Sequence, residues 1–265
     1  RDFTFNAMAL GIALLEEQEI IDPFGGQSDL ALGKVRILHD LSFQDDPTRI
    51  FRAIRFSQRF NFKLEAKTLR LLKQAIGAGL LDKVNPHRMR EELILILKEQ
   101  NPYGLVKKLS DLGALACIDA RLKISKPTRR LFENIAQEAL EFTKKFPVCR
   151  KLDIWLVYLA ALLESLALHQ IKAVICRLGL SGGQTKRIMS FYQERDKLVT
   201  CLSKKQASPE QVFSLLEPLS YETIILLSAT TRNKYFKKYL KDFFEIYHGM
   251  RLCVSGKDLN DLGVL

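Results

Sequence analysis

The segment DDPTRIFRAIRFSQRF carries an aspartate and several arginines at helical spacing. Asp46, Arg49, Arg52 and Arg55 follow one another at intervals of three, and Arg59 comes one turn later. Residues three or four apart are neighbours on a helix, so these side chains are expected to line a common surface. Guanidinium groups bind phosphates through paired hydrogen bonds. The helix therefore suits a ligand with several negative charges, such as a nucleoside triphosphate.

The first pair of this series has the hydrogen-bonding groups needed to read a nucleobase. Cytosine and adenine each present an amino donor beside a ring-nitrogen acceptor, whereas uracil and guanine present a carbonyl and an N–H. Asp46 could accept from the amino group while Arg49 donates to the ring nitrogen, which would admit C and A. The structural alternative is that Asp46 is a helix N-cap before Pro47 and that the arginines form surface ion pairs with Asp45 or Glu65.

The elements that must position these side chains are mainly helical. Residues 1–41 mix a short helical opening with two apolar pieces around the sequence DPFGG, which is typical of a hairpin turn. From there on the apolar period is helical, with breaks at NPHR, QNPYG, SKPT, LSGG and ASPE. Two helices are predicted to begin with a cap followed by proline, at Asp46-Pro47 and at Asn85-Pro86.

Composition favours a polyanionic partner such as nucleic acid, with an acidic membrane surface or solubility alone as the alternatives. The 265 residues include 41 Lys and Arg against 30 Asp and Glu, a formal net charge of +11. Basic residues interleave with aromatic ones near the C-terminus, and a weaker basic patch precedes them. The predicted RNA-contacting residues are Lys234, Lys237, Lys238, Lys186 and Arg187. The alternative is an amphipathic helix whose aromatic side chains face the core.

Metal and disulfide chemistry is not indicated. The five cysteines are scattered singly, and the four histidines have no ligand or catalytic partner at suitable spacing. Trp155 lies in an apolar helix and is predicted to be core. No apolar run reaches the length of a membrane span, and no signal or transit peptide is evident. A cytoplasmic protein without a membrane partner is expected.

Four motifs in series give these features a context. RDFTFNA at residue 1, DPFGGQSDL, DDPTRIFRAIRF and PHRMREELILIL occur in that order within about the first hundred residues. They resemble the second to fifth motifs of the class II tRNA nucleotidyltransferases, the CCA-adding enzymes, and of the related bacterial poly(A) polymerases. The C-terminal RLCVSGKDLNDLGVL also resembles a segment found near the end of many members.

The resemblance implies a role for each matched residue. Asp46 and Arg49 correspond to the amino-acid template that pairs with the incoming base. The last motif contains Arg88, Arg90 and Glu91, and the resemblance implies that they support the template helix. Ribose and phosphate binding is implied for Arg1, Asp2, Asn6, Arg52 and Arg55, and a hinge between head and neck for Asp22, Gly25, Gly26 and Asp29.

The sequence also departs from the family pattern. Asp45 stands where a glutamate is usual, and His87 where an acidic residue is common. The first family motif, which ends in a strand bearing Asp-x-Asp, is absent from these residues. Transfer of a nucleotide to an RNA 3′-hydroxyl needs carboxylate-bound Mg²⁺. The chain is therefore expected to be an incomplete enzyme whose Mg²⁺ ligands and catalytic carboxylates lie outside it.

The resulting prediction is a mainly α protein that contains the remnant of an α/β nucleotidyltransferase head. Residues 1–42 are assigned to the head, 43–115 to a nucleotide-selecting neck, and 116–265 to a helical body and tail that bind the tRNA acceptor arm. The predicted enzyme adds C and/or A to tRNA 3′ ends from CTP or ATP and releases pyrophosphate. A bacterial poly(A) polymerase and a non-catalytic RNA-binding relative stay open as alternatives.

Overall fold

Two compact units make up the chain in the computed structural model, which describes residues 1–11, 20–146 and 151–248. The first unit comprises Arg1–Glu133 and Asp153–Thr185, and the second comprises Asn134–Leu152 and Lys186–Leu265. The C-terminal segment RLCVSGKDLNDLGVL lies outside the described residues, as do Cys149 and Cys253. The predicted head, neck and body boundaries stay a prediction.

Short strands are confined to the first unit within the described ranges. Strand β1 (Ala9–Leu10) pairs antiparallel with β2 (Ile20–Ile21), with Ala9 opposite Ile21. Strand β3 (Lys34–Val35) pairs parallel with β4 (Lys63–Leu64). An isolated bridge joins Phe3 to Ile37 and so ties the N-terminal segment to the residues after β3.

The predicted hairpin turn at DPFGG is wrong. The strands on either side of it, β2 and β3, pair with other strands rather than with each other. The glycines instead begin a helix, α1 (Gly26–Ala31), and Gly25 precedes it with a φ of 71°. The Asp22 carboxylate accepts hydrogen bonds from the Gly26 and Gln27 N–H groups, at 2.7 and 2.9 Å. A side chain that satisfies the first N–H groups of a helix favours helix initiation over a hairpin.

The first unit is otherwise built from helices joined by short turns. Its helices are α2 (Ser42–Asp45), α3 (Arg49–Arg59), α4 (Ala66–Gly77), α5 (Pro86–Leu97), α6 (Pro102–Asp111), the part of α7 (Lys126–Lys145) up to Glu133, α8 (Ile154–Leu163) and α9 (Leu168–Arg177). Turns of 3₁₀ helix occupy Thr4–Asn6, Leu80–Lys83 and Ala114–Cys117. The prediction of a mainly α fold is confirmed.

Local sequence explains where several of these helices start. The Asn85 side chain accepts from the His87 N–H at 2.9 Å, and the Asn101 side chain accepts from the Gly104 N–H at 3.0 Å. A proline follows each asparagine at the first helical position, where its missing N–H costs nothing. Helix α3 differs from the prediction, because Pro47 lies in a turn and the helix begins two residues later, at Arg49.

Helix α3 is held by its apolar face. Ile50, Phe51, Ala53 and Ile54 are fully buried, and α3 packs against α5 and α6. Its arginines project from the other side of the helix, which gives the functional side chains a rigid base. Trp155 in α8 is buried as predicted, with 4% of its surface exposed.

The second unit is a separate helical body. It contains α10 (Gly182–Leu202) from Lys186 onwards, α11 (Pro209–Leu216), α12 (Tyr221–Thr230), α13 (Lys234–Asp242) and a π-helical turn at Phe243–Tyr247. Helix α12 is nearly all buried. Within the described part of the chain no single helix is long and apolar enough to cross a membrane, although α11 and α12, bent by 114° at their junction, satisfy the length and composition criteria as a pair.

Candidate nucleotide-binding site

The corner between α2 and α3 presents the Asp46 carboxylate. One of its oxygens accepts hydrogen bonds from the Thr48 N–H at 3.1 Å and from the Thr48 hydroxyl at 2.7 Å. The other accepts from Nη2 of Arg88 at 2.7 Å. The structural alternative is therefore wrong in its details, since the N-cap of α3 is Thr48 and Asp46 braces the turn just before it. Asp46 also has an oxygen that faces a cation from another helix.

The environment of Asp46 favours its charged form. Partial burial opposes ionisation, but the hydrogen bonds from Thr48 and the charge of Arg88 outweigh it and lower the pKa of Asp46 below 3.8. Each carboxylate oxygen can accept two hydrogen bonds, so the oxygen that faces Arg88 retains acceptor capacity. Asp46 can therefore accept from an amino group at neutral pH.

Arg49 is fixed by groups other than Asp46. Its Nε donates to Oδ1 of Asp2 at 3.2 Å, and its Nη1 donates to the carbonyl oxygen of Ser42 at 3.0 Å. Only 16% of the Arg49 side chain is exposed. The described hydrogen bonds leave Nη2 of Arg49 available as a donor. The corner thus places an anchored acceptor and an anchored donor on one turn of chain.

Asp2 links the next arginine to the same site. Its Oδ2 accepts from Nε and Nη2 of Arg52, at 2.9 and 2.5 Å. Arg52 also donates from Nη1 to Oε1 of Glu92 at 3.3 Å. Burial of Arg52 opposes its charge, but Asp2 and Glu92 outweigh that effect and raise the pKa of Arg52. Asp2 therefore bridges the predicted base-reading arginine and a predicted phosphate-binding arginine.

The ion pairs proposed as the structural alternative for these arginines are wrong. Asp45 lies beside His39 at 3.3 Å, and Glu65 accepts from the Thr68 N–H at the start of α4. Arg55 instead lies 3.4 Å from Glu99. The arginines of α3 are paired with carboxylates that are distant in the sequence.

The remaining predicted ribose and phosphate residues play different parts. The Asn6 side-chain oxygen accepts from the backbone N–H groups of Asp2 and Phe3, at 3.3 and 3.0 Å. Asn6 therefore shapes the turn that presents Asp2. Arg1 is exposed at the start of the chain. Direct contact of Arg1, Asn6, Arg52 and Arg55 with a nucleotide stays a prediction.

The predicted hinge residues attach α1 to this N-terminal turn. Asp29 is fully buried and accepts from the Thr4 hydroxyl at 2.6 Å and from Nη2 of Arg36 at 2.7 Å. A Cβ on Gly26 would lie 2.5 Å from the carbonyl oxygen of Thr4, so the close approach requires glycine. Backbone hydrogen bonds from Gln27 and Gly26 lower the pKa of Asp22. Hinge motion itself stays a prediction.

Of the three predicted supporting residues, the structure brings only Arg88 to Asp46. Arg90 donates to the carbonyl oxygens of Leu178 and Gly179, at a different place in the first unit. Glu91 is exposed and lies beside Arg90 and His87 on its own helix. These two side chains therefore stabilise α5 and its surroundings rather than contact the base-reading pair.

Glu92 is a site residue that the sequence reasoning missed. It lies next to Glu91 on α5, but only 11% of its side chain is exposed. Burial raises the pKa of Glu92 above 4.5 despite the nearby charges of Arg52 and Arg55. The signal was its position three residues after Met89 and four before Ile96, on the apolar face of the helix. An acidic residue on such a face points to a buried cationic partner.

The predicted RNA-contacting residues all lie in the second unit. Lys234, Lys238 and Lys186 are exposed. Lys237 forms an ion pair with Glu138 at 2.7 Å, and Arg187 forms one with Glu222, whose side chain is 3% exposed, at 3.1 Å. Phe236 and Tyr239 of α13 are buried, as the amphipathic alternative required. Helix α13 thus has a buried aromatic face and a solvent-facing basic face, and RNA contact stays a prediction.

The carboxylates of the described residues do not fit a Mg²⁺ site. Among residues 1–11, 20–146 and 151–248, no three His, Cys, Asp or Glu side chains lie close enough together to hold a metal ion. Asp2, Asp46 and Glu92 each face an arginine. These acids form ion pairs with arginines rather than a metal-binding cluster.

Comparisons with known proteins show what the chain is similar to. Residues 61–118 match the family described as "Probable RNA and SrmB- binding site of polymerase A". The chain is 31% identical to an A-adding tRNA nucleotidyltransferase of Geobacter sulfurreducens over its whole length, and it spans 30% of that protein.

Solved structures give the same result. The Thermotoga maritima CCA-adding enzyme complexed with tRNA is 32% identical, with a TM-score of 0.78 over 98% of this chain and 63% of that one. A CCA-adding enzyme in complex with ATP is 32% identical, with a TM-score of 0.76 over 99% of this chain and 64% of that one. The chain thus spans about a third of the curated relative and under two thirds of these two structures.

Proposed function

We propose that this chain, which belongs to the class II tRNA nucleotidyltransferase and bacterial poly(A) polymerase family, selects the nucleotide and binds the RNA in a tRNA nucleotidyltransferase. The whole enzyme adds C and/or A to the 3′ end of tRNA from CTP or ATP and releases pyrophosphate. The observation that carries the proposal is the pair of anchored groups at the start of α3, an ionised acceptor at Asp46 and a guanidinium donor at Arg49.

The chemistry of this pair matches the two nucleotides of the CCA end. Asp46 accepts from the exocyclic amino group of cytosine or adenine, and Arg49 donates to the neighbouring ring nitrogen. Uracil and guanine would place a carbonyl against the Asp46 carboxylate and an N–H against Arg49. Leaving such buried polar groups unpaired costs about 1–3 kcal/mol each, which is enough for selection. Arg52 and Arg55 lie farther along α3 and are available for phosphates once they exchange a carboxylate partner.

The tRNA substrate and the use of ATP and CTP are supported by similar CCA-adding enzymes whose structures contain tRNA, ATP or CTP. The A-adding relative from Geobacter sulfurreducens supports ATP as one of the substrates. The Mg²⁺ that the transfer needs is proposed to be held by residues outside this chain, and the enzyme is proposed to work in the cytoplasm without a membrane partner.

The test is nucleotide binding by the chain, followed by incorporation. We expect ATP and CTP to bind more tightly than GTP and UTP, and Asp46→Asn to lower that preference about tenfold or more, because an amide presents a donor as well as an acceptor. Asp45→Asn is the matched control, since Asp45 lies beside His39. Equal binding of all four nucleotides, or an equal loss in both variants, would refute base reading at this corner.

Incorporation into a tRNA that lacks its 3′-CCA then separates the members of the family. With ATP, CTP or both, a tRNA enzyme stops at a fixed length, whereas a poly(A) polymerase extends varied RNAs with ATP alone. The match of residues 61–118 to a polymerase A family keeps this second candidate in the comparison. A preparation that contains the metal ligands and selects nucleotides but adds none would favour the non-catalytic relative.

A further inference from the structure

A second cationic groove lies at the far end of α3, beyond the base-reading pair. It has a volume of about 770 Å³ and is lined by the last turn of α3 and the chain joining α5 to α6. Arg59 is ten residues after Arg49, which places it about 15 Å along the helix from the base-reading pair. The groove is therefore separate from the Asp46 corner.

The charges of the groove are unbalanced. Arg55, Arg59 and Lys98 line it together with a single acidic side chain, that of Glu99. Glu99 is shared by two arginines at long distances, 3.4 Å to Arg55 and 3.9 Å to Arg59. Lys98 is exposed and takes part in no ion pair within the described residues. Three cations and one carboxylate leave the lining of the groove with a net positive charge, which suits an anion.

Arg55 supplies a second sign of a binding site. Only 9% of its side chain is exposed, and its Nε has no hydrogen-bond partner within the described residues. Burial of an unpaired donor costs about 1–3 kcal/mol, so such groups commonly mark a binding site. If Glu99 or the Arg55 guanidinium moves when a phosphate binds, the Arg55 Nε can donate a hydrogen bond, and the cost of the unpaired donor is removed.

An aromatic ring at the same groove identifies the chemistry of the ligand. Phe60 lines the groove and is 44% exposed. Its ring is held by Phe56, stacked at a centroid distance of 5.8 Å, and by Phe5 and Phe62 at 6.2 and 5.6 Å. The Arg59 guanidinium lies 5.9 Å from the ring centroid. A fixed, exposed aromatic ring beside cations is the arrangement on which single-stranded nucleic acids stack.

We infer that this groove binds one nucleotide of a single-stranded RNA segment, with the base stacked on Phe60 and the phosphate held by Arg59 and Lys98. The inference rests on the proposed function for the identity of the polymer. It adds a subsite beyond the base-reading pair, which shares only Arg55 with the residues proposed to bind the nucleotide. It also assigns particular side chains within and beside residues 61–118.

The experiment measures binding of a fluorescent single-stranded oligoribonucleotide to the 265-residue chain at several salt concentrations. Phe60→Leu should weaken RNA binding about tenfold, because it removes the stacking ring, and Phe60→Tyr should restore it. Lys98→Ala should lower the slope of log affinity against log salt by about 0.7, the value for one phosphate of a single strand. Lys172→Ala, an exposed lysine on α9, is the matched charge control.

ATP binding is measured on the same variants to separate this inference from the proposed function. Unchanged ATP binding together with weakened RNA binding supports an RNA subsite in the groove. This result does not depend on whether Asp46 selects the base. Wild-type RNA affinity and salt slope in both Phe60→Leu and Lys98→Ala overturn it. Loss of ATP binding with RNA binding unchanged also overturns it, since the groove would then hold a free nucleotide.

Discussion

At the scale of the residue, Glu92 should leave a signature in the pH dependence of stability. Burial raises its pKa in the folded chain above the ordinary 4.5. A raised acid pKa contributes stability that is complete below the unfolded value and is lost as the pH rises through the folded value. We therefore expect Glu92→Gln to gain stability relative to the wild type as the pH rises above about 4.5, measured by denaturant unfolding at several pH values.

Glu91→Gln is the control for this measurement, because Glu91 lies on the exposed side of the same helix. Parallel stability curves for Glu92→Gln and the wild type would show that Glu92 does not titrate abnormally. Asp46 has the opposite sign, since its lowered pKa contributes stability that is lost as the pH falls through the folded value. The difference in the free energy of unfolding between Asp46→Asn and the wild type should therefore shrink as the pH falls through the folded pKa of Asp46. At higher pH the difference should stay constant.

At the scale of the element, the contact between α1 and the N-terminal turn should control how Asp2 reaches the arginines. Gly26→Ala would place a methyl group 2.5 Å from the Thr4 carbonyl oxygen, which is backbone and cannot rotate away. We expect a loss of about 1–3 kcal/mol in the free energy of unfolding and weaker ATP binding, measured by denaturant unfolding and nucleotide titration.

Gly77→Ala is the matched control, because no atom lies within 4 Å of the Cβ that would be added near the end of α4. It should be neutral or stabilise the chain by up to about 1 kcal/mol through helix propensity. If Gly26→Ala and Gly77→Ala had the same effect, the close packing of α1 against Thr4 would have no energetic importance.

The elements also show what the sequence could predict. Asn85-Pro86 starts α5 through a contact within three residues, so the local pattern was sufficient. The sequence around Asn101-Pro102 was interpreted only as a break, although it starts α6 in the same way. The partners of the α3 arginines were not predictable in this way, because Arg52 lies 50 residues from Asp2 and 40 from Glu92. Such pairings depend on tertiary packing. The turn at Gly25-Gly26 was misread because glycine chemistry serves hairpins and helix starts alike.

At the scale of the whole molecule, the net charge of +11 should act through those cations that are not already neutralised. On α13, Lys234 and Lys238 are exposed, whereas Lys237 lies 2.7 Å from Glu138. If this face binds the tRNA acceptor arm, Lys234→Ala with Lys238→Ala should weaken tRNA binding and reduce its salt slope by nearly one unit per lost phosphate contact. Lys237→Ala should reduce the salt slope less, because Glu138 already neutralises Lys237. Filter binding at several salt concentrations measures these differences. An unchanged slope in the double variant would mean that α13 serves packing alone, and that the positive charge acts elsewhere on the chain.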